Sequence, residues 1–313
     1  MTSFSILVNP KAGKSTASAR GEAVAGLLRT AGSEVCVSAT ANSAEARRFA
    51  AEAVGRGEVV VVVGGDGTIG AIAGEVIRAG GILGLVPSGR GNDFARQLDL
   101  PTDLPAIARV LLAGRVRWVD VIEVAPGDAS AGMPNLASDL VGDPSGESDP
   151  ARTVVGSVYA GIDSLTSELV DRAGWLPTVL QYPVAALRAI AIHRSTSYEL
   201  TIDGASHSAA AHTVVVANAG YYGSGMHVAP GAEVDDGELS VVTVGEAGRL
   251  KLLNALRLVY RGDHLRLDEV SVVTARTVTI RAVGAVTAYA DGERIGRLPV
   301  TARVVPGALR ILA

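Results

Sequence analysis

The chain has 313 residues, 48% of them hydrophobic and 19% charged, with a net charge of −4. That composition can fill two cores and is too apolar for disorder, and without any basic block it lacks the electrostatic footprint of a nucleic-acid binder. The single cysteine, Cys36, excludes an intramolecular disulfide and cysteine-based zinc binding, and the five histidines lack the i, i+4 spacing of a helical metal pair.

The first residues carry neither the positive n-region nor the long apolar h-region of a signal peptide. No window reaches the ~20 apolar residues of a bilayer span. The expectation is a soluble, cytoplasmic protein that can still touch the inner membrane face.

The first 120 residues alternate strand and helix. Phe4 to Val8 is an apolar strand ending at Asn9-Pro10. Ser18 to Ala31 reads as a helix with Val24, Leu27 and Leu28 on one face and Gly32 beyond its end. A strand at Glu34–Ser38 and a helix at Ala44–Arg56 follow. Five consecutive valines then follow Glu58, up to Val63. An unbroken apolar run fits a strand covered on both faces, as in a parallel sheet. A helix over Ile69–Ala79 and a strand over Ile82–Val86 complete the pattern. Repeated βα units with Gly-rich connections predict an open, Rossmann-like parallel sheet with ligands at the carboxyl ends of its strands.

The second half is strand-rich: Val116–Val124, Thr153–Tyr159, Ser197–Ile202, His212–Ala217, Leu239–Val244, Thr277–Ala282 and Thr287–Ala290. Gly, Asp-Gly and Asn boundaries suggest hairpins and a mostly antiparallel, sandwich-like arrangement. Helices are expected at Val179–His193 and Gly248–Tyr260. Residues 128–152, rich in Gly, Pro, Ser and Asp, read as a mobile acidic loop. The expected division is an α/β domain over 1–121, joined by the tail 300–313, and a β-rich domain over 122–299.

Three segments carry chemistry. Asn9-Pro10-Lys11-Ala12-Gly13-Lys14-Ser15 ends in the Gly-Lys-Ser of a Walker A loop, but the position of that motif's first glycine is Val8. A strand end, a glycine and a helix start can still hold phosphate. An ordinary strand–helix turn accounts for the segment equally well. Gly64-Gly65-Asp66-Gly67-Thr68 follows the valine strand and precedes a helix. Its glycines allow close approach of a bulky anion, and Asp66 among them suits Mg²⁺ binding or acceptance of a hydroxyl proton. Ser88-Gly89-Arg90-Gly91-Asn92-Asp93 repeats that logic after the next strand, so both loops should converge on one ligand. Asp93 is also compatible with an N-cap for a helix over Phe94–Leu98.

With these segments, Pro230 to Gly237 and Asp291-Gly292-Glu293 occur in the order seen in the diacylglycerol kinase catalytic-domain family, which the chain resembles over nearly its whole length. The likeness is strongest to bacterial, actinobacterial-type lipid kinases. The resemblance implies ATP contacts at Asn9, Pro10, Lys11, Ala12, Gly13, Thr40, Gly65, Asp66, Gly67, Thr68, Ile69, Gly70, Ala71, Arg90 and Asn92. It implies that Asp66, Asp93 and Asp120 organise a catalytic Mg²⁺, partly through water, and that Glu293 matches the proton acceptor. It further implies a structural Mg²⁺ at Asp236 with the carbonyls of Glu233 and Glu238. Hard oxygen ligands on a tight turn suit that ion, and an Asp-Gly hairpin turn is the plain alternative.

The chain departs from the family pattern at Arg90, where Thr or Ser is usual, at Glu233, where Lys is common, and at the apolar start of Val158-Tyr159-Ala160-Gly161-Ile162-Asp163. In related lipid kinases the stretch holding Trp175-Leu176-Pro177 and the helix up to Ile192 admits the acyl chain; a core helix with a loop explains it as well. The helix Arg249–Arg261 has the composition to lie on an anionic membrane or to pack as an ordinary amphipathic helix.

The expectation is therefore an ATP- and Mg²⁺-dependent kinase acting on a lipid hydroxyl, with diacylglycerol converted to phosphatidic acid. It would touch the membrane peripherally, bind no nucleic acid, and leave room for a homodimer. An NAD kinase-like enzyme shares the Gly-Gly-Asp-Gly loop, and a non-catalytic lipid or nucleotide binder would share the fold.

Overall fold

The computed structural model describes residues 2–9, 16–89, 91–126, 152–172 and 178–313. In chain order the first half contains β1 (Ser3–Val8), α1 (Thr16–Thr30), β2 (Glu34–Ala39), α2 (Ser43–Gly55), β3 (Val59–Gly64), α3 (Asp66–Arg78), β4 (Leu83–Pro87), α4 (Asp93–Gln97) and α5 (Leu104–Ala113). β1 pairs in parallel with β2 and β3, and β3 in parallel with β4, giving the order β2-β1-β3-β4. The valine run is the centre of this sheet. Val61 and Val63 pack with α1 and α5 residues such as Leu28 and Leu111, while Val60 and Val62 pack with Ala50 of α2 and Ile72 and Val76 of α3. The period-two alternation of a strand therefore fills two cores at once, which is why no polar residue interrupts it.

The helix ends are set locally. Asn42 Oδ1 accepts the Glu45 N–H at 2.9 Å, and Asp103 Oδ2 accepts that of Ala106 at 2.9 Å. Gly114 closes α5 in the left-handed conformation, φ 63°.

The second half runs β5 (Val116–Pro126), β6 (Arg152–Val154), β7 (Ser157–Gly161), α6 (Ile162–Arg172), α7 (Thr178–Ile192), β8 (Thr196–Ile202), β9 (Ala205–Ala217), β10 (Tyr221–Tyr222), β11 (Met226–His227), β12 (Leu239–Gly245), α8 (Arg249–Leu258), β13 (Val270–Ala275), β14 (Thr277–Ala282), β15 (Thr287–Ala290), β16 (Glu293–Arg297) and β17 (Val300–Leu312). Its strands pair antiparallel in the order β16-β15-β7-β9-β8-β14-β17, with β12 and then β13 added beside β9. Their inward residues, among them Val158, Tyr198, Val214, Val241 and Ile280, form a separate core. β17 joins the halves. It is antiparallel to β5 and β14, and Ile311 meets Leu83 of β4 in parallel. Parallel α/β sheet followed by β-rich half is the architecture expected from the sequence.

Three expectations change in detail. The strand predicted over Thr153–Tyr159 is two strands, because the chain bends at Val155-Gly156 and turns its N–H groups towards the Asp291 carboxylate. The strand predicted from His212 begins at Ala205. The predicted loop 128–152 lies outside the described residues except for Arg152, which starts β6. No helix among the described residues is long and apolar enough to cross a membrane.

Candidate active site

The site is built where β1, β3 and β4 end. Asn9 leaves β1 and its Nδ2 donates to Thr68 Oγ1 at 3.2 Å, tying the first strand end to the start of α3. Thr40, buried beyond β2, donates its N–H and hydroxyl to the Val8 carbonyl at 2.9 and 3.2 Å. The loops after β3 and β4 touch backbone to backbone: a Cβ on Gly89 would stand 2.5 Å from the Gly65 Cα. Only glycine permits that approach. Gly65 is the N-cap of α3 and supplies no side-chain acceptor; the Thr68 N–H bonds the Gly65 carbonyl at 2.9 Å, and the Asp66 and Gly67 amides before it are the ones aimed at an anion.

Asn92 pins the second loop. It sits in the left-handed region, φ 51°, and its amide bonds both the N–H and the carbonyl of Gly89, at 2.7 and 3.2 Å. The expected N-cap role of Asp93 is corrected here. Asp93 is the first residue of α4, and the helix start is capped by Asp66, whose Oδ2 and Oδ1 accept the Asp93 and Phe94 N–H groups at 3.1 and 3.0 Å. Asp93 itself is buried. One of its oxygens pairs with Arg96 and the other accepts the Ser224 N–H at 2.8 Å.

The second half supplies a third carboxyl. Asp291 accepts the N–H groups of Val155, Gly156 and Ser157 at 2.9, 2.9 and 3.1 Å. α3 makes room for this segment with a glycine stripe. A Cβ at Gly67 would come within 3.0 Å of Glu293 Oε1, and one at Gly70 within 3.1 Å of Asp291 Oδ2. Glu293 thus lies over the first turn of α3 and is ion-paired with Arg152. Asp66, Asp93 and Asp291 line one cavity of about 210 Å³ with Ser224, Tyr182 and Tyr222. Burial, and then the neighbouring Asp66 charge, raise Asp93 to about 6. Burial raises Asp291 to about 7, with Asp66 adding to it against the pull of the three N–H groups.

Tyr182 and Tyr222 also line a second cavity, of about 80 Å³ and mostly apolar, with Ile190 of α7 and Leu252 and Leu256 of α8 among its walls. Asp163, which receives no catalytic role from the sequence, lies half-buried there. Thr213 donates to it at 2.6 Å, and burial raises its pKa.

Several sequence expectations lie elsewhere. Neither Asp120 nor Glu293 lines the acidic cavity. Asp120 is buried, and its two oxygens accept the N–H groups of Gly237 and Gly307 at 2.7 and 2.6 Å, which holds two turns. Asp236 Oδ1 accepts the Glu238 N–H at 2.9 Å around Gly237, φ 74°, which is the turn geometry of the plain alternative. Among the described residues no three His, Cys, Asp or Glu side chains are gathered to hold a metal; the expected structural site uses one side chain, Asp236, with the carbonyls of Glu233 and Glu238. Ile69 is a core residue, with Gly70 and Ala71 beside it on α3. Pro10, Lys11, Ala12, Gly13 and Arg90, and Trp175 to Pro177, lie outside the described residues. Asp291 was overlooked as a site residue although its Asp-Gly-Glu motif is visible in the sequence. Tyr182 and Tyr222 carry no local signal.

Two glycine loops abutting at parallel strand ends, with carboxyls from both halves in one cleft, define a phosphate-handling enzyme of the kinase type. The family described as diacylglycerol kinase catalytic domain matches residues 3–124, and the YegS C-terminal NAD kinase beta sandwich-like domain matches residues 156–313. The chain is 31% identical over 311 residues to a diacylglycerol kinase of Mycobacterium tuberculosis, covering 98% of this chain and 93% of that one. To the diacylglycerol kinase of Bacillus subtilis it is 22% identical over 298 residues, covering 94% and 90%. A crystal structure of a diacylglycerol kinase from Bacillus anthracis superposes with a TM-score of 0.69 at 17% identity, over 99% of this chain and 96% of that one, and so shares the fold. The chain belongs to the diacylglycerol kinase family of lipid kinases.

Proposed function

We propose that the protein transfers the γ-phosphoryl group of ATP to the free hydroxyl of diacylglycerol, giving phosphatidic acid. One observation carries the reading: the acidic cavity and the apolar cavity share Tyr182 and Tyr222 as walls, so a reacting hydroxyl and an apolar chain can be held by one molecule. The kinase family implies a nucleotide donor, and the loop at Gly65–Thr68 is where its phosphates would meet backbone amides.

Asp66 and Asp93 fit Mg²⁺ in the way this ion is commonly held, by one or two carboxylates completed by phosphate oxygens and water; their remaining lone pairs, not an all-protein cage, are what the cleft offers. Mg²⁺ bound with the nucleotide would neutralise charge building on the transferred group. The chain's own residues do the rest. Asp66 locks α4 to α3 and so fixes the position of Asp93. Asp291 holds the bend at Val155–Ser157, which closes the cleft from the second half. Glu293, set over Gly67 by the glycine stripe and paired with Arg152, is the group we assign to take the hydroxyl proton. Tyr182 and Tyr222 separate the acidic cavity from the apolar one and orient the acceptor across it.

Phosphate transfer from labelled ATP to a panel of diacylglycerol, a sphingoid base, a prenol and NAD tests this. Labelling of diacylglycerol in preference to the others is expected. Labelling of NAD and no lipid would overturn the lipid reading.

A further inference from the structure

Helix α4 is held at both ends. Asp66 caps its first turn from within the first half. Its last residue, Gln97, is tied to the second half by both ends of its amide. Gln97 Oε1 accepts the Gly220 N–H at 2.9 Å, and Nε2 donates to the Ala232 carbonyl at 3.1 Å. Gln97 stands four residues after Asp93, so the two side chains leave one face of the helix. Asp93 bonds the Ser224 N–H in the same stretch of the second half. The approach depends on a glycine: a Cβ at Gly220 would stand 2.7 Å from the Ala229 carbonyl oxygen and 3.1 Å from Gln97 Oε1.

Gly220 ends a short run that grips the other wall of the cleft. The N–H groups of Asn218 and Ala219 donate to the Gly156 carbonyl at 2.9 and 3.1 Å. Asn218 is fully buried, and its Nδ2 donates to the carbonyls of Val155 and Asp120, each at 3.0 Å. Val155 and Gly156 form the bend whose N–H groups Asp291 accepts. The bend is therefore clamped through its carbonyls by Asn218 and Ala219, and through its N–H groups by Asp291. A continuous chain of bonds runs from Asp93 along α4 to Gln97, across to Gly220, and back through Asn218 to the bend and Asp291. Packing follows the same path, since Phe94 and Leu98 share one core with Val155 and Ala219.

The position of Gln97 calls for one donor and one acceptor on the same side chain. A primary amide supplies both, whereas a carboxylate only accepts and a thioether does neither well. A substitution therefore leaves the Gly220 N–H, the Ala232 carbonyl or both without a bond. Gln97 lines neither the acidic nor the apolar cavity, so it acts on the cleft only through what it holds.

We propose that Gln97 is a positioning residue for phosphoryl transfer: its amide pins α4 to Gly220 and Ala232, and so sets the separation of Asp93 and Asp291 across the cleft. The proposal rests on the kinase reading above for its consequence, while the pin itself is read by a distance that needs no catalysis.

The test uses the full chain and two variants. Gln97→Met keeps the length of the side chain and removes both bonds. Gln97→Glu keeps the acceptor for Gly220 and sets a carboxylate against the Ala232 carbonyl. Spin labels on the natural Cys36, exposed on β2, and on Ser206→Cys, exposed on β9, report the distance between the halves by pulsed EPR. The parent should give one narrow distribution and both variants a broader or displaced one. With ATP and a short-chain diacylglycerol, kcat of both variants should fall by roughly tenfold or more, at a temperature where circular dichroism shows them folded. KM for ATP should stay within roughly threefold, because the bonds that hold the glycine loops, from Asn9 to Thr68 and from Asn92 to Gly89, do not involve Gln97. Parental kcat in the folded variants, a fall in kcat with the parent's distance distribution, or an effect confined to KM would overturn the proposal. No transfer to diacylglycerol by the parent would refute the activity instead, and the distances would still decide whether Gln97 holds the halves.

Discussion

Asp66 caps the helix that begins at Asp93, with its carboxylate oxygens 3.1 and 3.0 Å from the N–H groups of Asp93 and Phe94. One side chain thereby joins the two glycine loops and stands in the cleft. The two roles separate by substitution. Asp66→Asn keeps one acceptor for the cap and should cost under about 1 kcal/mol of stability, whereas Asp66→Ala should cost about 1–2 kcal/mol. Both should lower kcat by roughly a hundredfold or more, because each removes the charge. Chemical denaturation and steady-state kinetics on the pair check this.

Asp120 should behave in the opposite way. Removing its carboxylate in Asp120→Ala leaves the Gly237 and Gly307 N–H groups without acceptors, at a cost of about 2–4 kcal/mol. At a temperature where the variant is folded, its kcat should stay within a few-fold of the parent's. A catalytic collapse without loss of stability would return Asp120 to the reacting centre.

The glycines differ by what they face. Gly89→Ala forces a Cβ against the Gly65 backbone at 2.5 Å and should destabilise by roughly 2 kcal/mol or more. Gly67→Ala meets only the movable Glu293 carboxylate at 3.0 Å and gains up to about 1 kcal/mol of helix propensity. It should lower activity with little effect on Tm. Melting curves beside activity assays distinguish the two.

Asp93 and Asp291 give stability a definite pH dependence in metal-free protein. Both are raised above the ordinary carboxyl value, to about 6 and about 7. Between pH ~4 and ~7 the folded chain therefore holds protons that the unfolded chain has released, and their contribution falls as pH rises through the folded values. The loss should be on the order of 1–3 kcal/mol between pH 5 and 8, and Asp291→Asn should flatten the slope. Denaturation in chelator across that range measures it.

Much of the first half is legible locally. The valine run names a two-faced parallel strand, and the glycines around Asp66 and Asn92 name loops that must approach something closely. α5 is weakly signalled: Asp103, Pro105 and Gly114 mark its ends, but its ten residues fall between stronger signals. β17 was hidden by Pro306-Gly307, which reads as a turn but sits in the irregularity where its pairing with β5 shifts register. The cleft was half legible. Asp66 and Asp93 are close in chain position to the loops that use them, but Asp291 meets Val155 to Ser157 across about 135 residues, and that pairing is created only by folding. Asp120 is legible in the sequence as one more acid of the series, but only folding surrounds its carboxylate with the Gly237 and Gly307 N–H groups.

The most direct test is single-turnover transfer of the labelled γ-phosphoryl group from ATP to diacylglycerol by the parent chain, Asp66→Asn and Glu293→Gln. Labelled phosphatidic acid from the parent, with its rate lowered by roughly a hundredfold or more in both variants, is the predicted result. Undiminished transfer in both variants, or no transfer to diacylglycerol by the parent, would contradict the account.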